Sequence, residues 1–241
     1  MNRTLPPARY RPKPESAFLE NLIDPIDRLT ESLFSILILM TFTMTSWIIS
    51  RSGSSEHTLT SENIVDLAIA ALFTVIAYGV IDGAIYALLT MFGRGESHRL
   101  LQGIQAADSE QEAVDVIADN LDYMLEPITG EQERRQLYSH ILVHLRNSQP
   151  REIGLKWEDV TAGLTHILVA ILVIIPPLFP LIAMRQDPGM AILVSNIISL
   201  FLLFFVGYRW GRYTGANPWK TGLIILAVIT ALVLFLFWLG G

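Results

Sequence analysis

Cysteine is absent from the 241 residues, which excludes disulfides, thiolate metal sites and cysteine nucleophiles together. Charge is scarce: only 17% of residues are Asp, Glu, Lys or Arg, while 51% are hydrophobic. An average soluble domain carries roughly 25% charged residues. Basic residues are the rarer sign, and the net charge of −6 argues against nucleic acid as a partner, because phosphate binding needs clustered Lys and Arg. The first thirty residues are polar, Pro-rich and mixed in charge, with no apolar stretch before a small-residue cleavage site, so no signal peptide is expected. There is also no nucleophile–base pairing, phosphate loop or convincing catalytic metal triad. The chain reads as something other than an enzyme.

What the sequence has in abundance is long apolar runs. A helix needs about 20 largely apolar residues to cross the bilayer core, and five stretches qualify, at about Leu33–Ile49, Ile64–Phe92, Ala162–Met184, Met190–Trp210 and Thr221–Leu239. The expected fold is an all-α integral membrane protein of five transmembrane helices, with a small three-helix cytoplasmic domain between the second and third. Its parts are a cytoplasmic N-terminal arm (1–30), transmembrane helices 1 and 2 (31–92), an acidic helical domain (93–160) and transmembrane helices 3 to 5 (161–241). Lys and Arg sort between alternate connections. Five lie in the arm (Arg3, Arg9, Arg11, Lys13, Arg28), seven in the second connection (Arg94, Arg99, Arg134, Arg135, Arg146, Arg151, Lys156) and three in the fourth (Arg209, Arg212, Lys220). Only Arg51 and Arg185 occupy the intervening connections. Basic residues near span ends stay cytoplasmic, so the N-terminus and the insertion are expected inside and the C-terminus outside a cell membrane, a bacterial inner membrane being the expected setting. Pro176, Pro177 and Pro180 each remove a backbone donor from the third span and predict a kink or unwinding there.

The insertion shows helical periodicity. A segment from Glu96 to Ala106 places Leu100, Leu101 and Ile104 on one face. A second begins at Asp108 with Gln111 three residues on, a capping-box pattern, and spaces Val114, Ile117, Leu121 and Leu125 helically. A third follows Thr129 and Gln132, with Leu137, Ile141 and Leu145 expected inward. Between Asp108 and Glu133 lie nine carboxylates and no basic residue. Such a surface attracts hard divalent cations through oxygen ligands, and Glu110, Glu112, Asp115, Asp119 and Glu133 are the candidate metal ligands. A solvated acidic face is the competing reading. His140 and His144, one turn apart, are candidates to share a metal, though solvated histidines are commoner.

Ionisable residues within a span are functional candidates by default. Asp82 is the clear one, flanked by apolar residues and placed between Gly79 and Gly83, a Gly-x-x-x-Gly pair that lets another helix approach closely. Tyr78 and Tyr86, one turn to either side, are its expected hydrogen-bond partners. An interhelical partner would satisfy it structurally, whereas a protonated Asp82 would serve as a proton carrier. Glu31 lies at the inner mouth of the first span. Met40 and Met44 stand four apart there, as soft ligands for a pathway or as packing. Asn196 offers interhelical hydrogen bonds, and His166 sits near the inner end of the third span.

Several stretches resemble the vacuolar iron transporter family: Leu29–Phe34, Gly79–Tyr86, Val194-Ser195-Asn196, Gly211-Arg212-Tyr213 and Pro218–Leu223, within an architecture of five spans and an amphipathic insertion after the second. The resemblance covers most of the chain from about residue 28. It implies a homodimer that moves Fe²⁺ or Mn²⁺ from the cytoplasm outward, coupled to protons, with carboxylates of the insertion gathering metal and no tightly bound cofactor. Asp82, Glu31, Met44, Met40, Tyr86 and Asn196 are the residues assigned to the pathway. The chain departs from the family's pattern in two ways: its Asp-Gly pair, Asp82-Gly83, falls in the second span with no acidic residue in the middle of the first, and no Gly-Glu-Tyr follows, so the family's translocation ligands are not carried over residue by residue. The alternative function is a membrane scaffold or accessory subunit whose acidic domain binds a cytoplasmic protein.

Overall fold

The computed structural model describes residues 25–51, 59–149 and 153–240. The first twenty-four residues of the expected arm, with Arg3, Arg9, Arg11 and Lys13, lie outside the described residues, as does Arg151. The described residues form seven helices and no strand: α1 (Pro25–Arg51), α2 (Ser61–Ala106), α3 (Glu110–Leu125), α4 (Glu131–Leu145), α5 (Trp157–Ala183), α6 (Pro188–Thr214) and α7 (Pro218–Gly240). Helices α1, α2, α5, α6 and α7 are each long and apolar enough to cross a membrane.

Local chemistry explains where these helices start and stop. Asp187 caps α6 by accepting from the Met190 N–H at 3.1 Å, ahead of Pro188 in the first turn, where a missing donor costs nothing. The helix ends on Gly215 at φ +74°, a conformation that glycine adopts without Cβ strain. Asn217 Oδ1 then accepts from the Trp219 and Lys220 N–H groups at 3.1 and 3.2 Å and opens α7.

One expectation about element limits is corrected, and of the kink or unwinding expected in the third span the unwinding does not occur. Helix α2 runs unbroken for 46 residues, about 70 Å at 1.5 Å per residue, so the segment expected to begin at Glu96 is its continuation through Gly93 and Gly95. One glycine costs only about 1 kcal/mol in a helix interior, too little to end a helix supported on both sides. Likewise α5 continues through Pro176, Pro177 and Pro180 without unwinding. Pro177 and Pro180 are buried, so neighbouring side chains, not lipid, surround much of this altered stretch.

The chain divides into two compact units, one of residues 1–83 and 161–241 and one of Ala84–Val160. In the first, α1, α2, α5 and α6 share an apolar core containing Leu39, Ile64, Ala71, Val75, Ile174 and Leu181. A second core joins Ile36 and Met40 of α1 to Leu203 and Val206 of α6 and Ile229 of α7. In the other unit, Ile104 of α2, Ala113, Val114 and Ile117 of α3, and Tyr138 and Leu142 of α4 form a core of their own.

The inward stripe of α4 is therefore centred on Tyr138 and Leu142, with Ile141 and Leu145 packed beside them as expected, and Leu137, expected inward, is exposed. The reason is polar. The Tyr138 hydroxyl donates to Asp122 Oδ1 at 2.7 Å, and Arg134 Nε reaches the same oxygen at 2.9 Å, tying α4 to α3 with Tyr138 turned in. The caps also fall one residue later than expected. Ser109 Oγ accepts from the Glu112 N–H at 3.1 Å while Glu112 Oε2 accepts from the Asp108 N–H at 3.0 Å. At α4, Glu133 Oε2 accepts from the Gly130 N–H at 3.3 Å. In both helices the third position of the first turn is taken by a glutamate, whose charge favours the helix N-terminus more than a glutamine does.

Candidate functional site

Within the first unit, three ionisable side chains from three helices meet. Glu31 of α1 and His166 of α5 are almost wholly buried, at 2% and 3% exposure, and Asp82 of α2 is partly exposed. His166 Nδ1 lies 2.8 Å from Asp82 Oδ2 and 3.8 Å from Glu31 Oε2. Ser35 Oγ, one turn along α1, donates toward Glu31 Oε1 at 3.5 Å. One ligand atom from each of the three residues falls within 4.8 Å of the others, the only such set of three among the described residues.

Glycine makes this meeting sterically feasible. A Cβ on Gly83 would overlap the Gly163 carbonyl oxygen, and one on Gly163 would come within 2.8 Å of the Gly83 oxygen. A Cβ on Gly79 would sit 3.1 Å from Ile167 Cα. The two backbones thus touch at the turns that flank Asp82 and His166. The Gly-x-x-x-Gly pair seen in the sequence has α5 as its partner, and Asp82 faces His166. Tyr78, expected to bond Asp82, packs its ring against Phe34 at 6.1 Å.

His166 was noted in the sequence but not assigned to the pathway, because a histidine near a span end either titrates or contacts headgroups. The signal was its helical spacing from Gly163 and Ala170, small residues that mark the face turned to a close neighbour. Of the other residues assigned to the pathway, Met40 is buried in the α1–α6–α7 core. Met44 and Asn196 line a cavity of about 590 Å³ with Trp47, Asp187, Met190 and Leu193.

The candidate ligands of the insertion do not converge in the same way. Glu110, Glu112, Asp115, Asp119, Glu133, His140 and His144 are all exposed. Glu112 and Glu133 are engaged in helix capping, and Asp115 accepts from Gln111 Nε2 at 3.1 Å.

A buried imidazole flanked by carboxylates inside apolar helices can hold a divalent cation or exchange protons, and such groups in a span mark ion and proton pathways. The fold is that of a multi-pass membrane protein, with three ionisable side chains gathered within its apolar helices. The model of the VIT family, the vacuolar iron transporters, matches residues 94–240, more than half of the chain, and the chain belongs to that family. Its members move metal ions across membranes and are transporters, not enzymes. No curated protein matches the chain. His166 falls inside the matched stretch, and Glu31 and Asp82 precede it.

Proposed function

We propose that this protein exports Fe²⁺ or Mn²⁺ from the cytoplasm in exchange for protons, as a homodimer in a cell membrane, with Glu31, Asp82 and His166 as the ion site. The observation that carries the reading is the convergence of those three side chains inside one ligand-sized volume. Two carboxylates and one imidazole form a mixed oxygen and nitrogen donor set. Imidazole suits first-row transition ions, while Mg²⁺ and Ca²⁺ favour oxygen alone. Because histidine and carboxylates bind metal only when deprotonated, loading the site displaces protons, which supplies the chemical basis for exchange.

The exposed carboxylates of α3 and α4 act in this reading as a collector. They raise the local cation concentration through their summed field and need no fixed coordination geometry to do so. The distribution of Lys and Arg supports an inside N-terminus, an inside second unit and an outside C-terminus.

The test is Mn²⁺ transport by the purified protein in proteoliposomes under an imposed pH gradient. Glu31→Gln, Asp82→Asn and His166→Ala should each lower Mn²⁺ affinity by about 10–100-fold, at least the loss seen when an outer-shell partner of a metal ligand is removed. Mg²⁺ should compete poorly with the wild type. Wild-type Mn²⁺ binding and uptake in all three variants would rule out this site.

A further inference from the structure

We propose that the buried polar groups of α1 and α6, Ser35 and Thr43 on one and Ser195, Asn196 and Ser199 on the other, joined at Thr43–Asn196, mark a hydrated path from the Glu31–Asp82–His166 cluster to the cavity at Met44. The inference deepens the transport reading and rests on it. All five side chains are buried, at 0% exposure for the serines and the threonine and 5% for Asn196.

The two helices run antiparallel. Thr43 Oγ1 donates to Asn196 Oδ1 at 2.8 Å, and Ile36 and Met40 share a core with Leu203 and Val206. That pairing puts Ser199 at about the level of Met40. Polar groups then recur at nearly every turn, from Glu31 and Ser35 through Ser199 to Thr43, Ser195 and Asn196. The distance covered is about 18 Å, twelve residues at 1.5 Å each. At its far end Asn196 lines the cavity of about 590 Å³, along with Met44, Trp47 and Asp187.

Simple interhelical hydrogen bonding accounts for only part of this. Ser199 Oγ donates to the Ser195 carbonyl at 2.9 Å, and Ser35 Oγ points to Glu31. Ser195 Oγ and Asn196 Nδ2 remain buried with no hydrogen-bond partner among the described residues. Buried polar atoms in proteins are satisfied by protein or by water, and water needs two to four polar partners at its site. Thr43, Ser195, Asn196 and Ser199 supply those partners, with the hydroxyl and amide groups that relay protons and partly hydrated cations.

The chain contains no cysteine, so it serves directly as the background for cysteine accessibility. Ser195→Cys and Ser199→Cys are near-isosteric, and Ala71→Cys, in the fully buried apolar core, is the dry control. The reagent is the permanently charged trimethylammonium-ethyl methanethiosulfonate, which reacts with thiolate in water, applied to proteoliposomes of phosphatidylethanolamine and phosphatidylglycerol. Both serine positions should be modified at least about tenfold faster than Ala71→Cys. Modification should cut Mn²⁺ uptake at least about tenfold while Mn²⁺ binding to the purified protein is retained. Labelling no faster than the control, or labelling that leaves uptake intact, overturns the path while the ion site stands. Mn²⁺ binding that ignores Glu31→Gln and His166→Ala overturns the ion site instead, and the path with it.

Discussion

At the scale of single residues, the site depends on atoms that are not there. Asp82 reaches His166 because Gly83 and Gly163 carry no side chain, and their backbones touch where any larger residue would separate the helices. Gly83→Ala is therefore expected to destabilise the protein by about 1–3 kcal/mol, the usual cost of overpacking, and to weaken Mn²⁺ binding. Gly93→Ala is the control, since a Cβ there meets nothing within 4 Å; it should leave binding unchanged and melt no lower than wild type. Thermal unfolding and Mn²⁺ titration of the two variants check this. Equal behaviour of both would show that contact between α2 and α5 does not hold the cluster. The same scale explains what could be read in advance. Asp82 was legible because a charge amid apolar neighbours needs a reason, whereas His166 could titrate or contact headgroups, and only its place opposite Asp82 decided between the two.

At the scale of helices, the α3–α4 pair is tied through Asp122. Hydrogen bonding from Tyr138 comes first, and with the nearby charge of Arg134 it holds the Asp122 carboxyl below the usual carboxylate range. Burial and the contact with Asp122 push the Tyr138 hydroxyl upward. A carboxyl with a lowered folded-state pKa stabilises the fold above its unfolded value, near 3.9, and loses that contribution as pH falls through the folded value. Asp122→Asn should thus loosen α3 and α4 at neutral pH, with faster proteolysis of the intact protein between Glu110 and Leu145. The difference from wild type should narrow as pH drops below about 4. A difference that is constant with pH would assign the effect to shape and not to charge. The periodicity of these helices was legible, but the rotation of α4 was not. Leu137 and Tyr138 are neighbours, and a hydrogen bond to another helix decided which one turned inward.

At the scale of the whole molecule, five apolar helices and an alternating distribution of basic residues set the expectation for topology. A reporter enzyme that works only outside the cytoplasm should be active when fused after Gly241 and inactive when inserted at Pro127. Activity at Pro127 would invert the proposed direction of transport. The sequence by itself determined the helical class, the number of spans and the acidic character of the insertion, because hydropathy and charge are additive properties of short segments and need no partner. It also marked Asp82 as costly to bury. Only the tertiary structure decided that α2 continues past Gly93, that Glu31 and His166 join Asp82, and that Asn196 of α6 meets Thr43 of α1. Those outcomes depend on which helix faces lie opposite one another, and that is settled by packing between segments far apart in the chain.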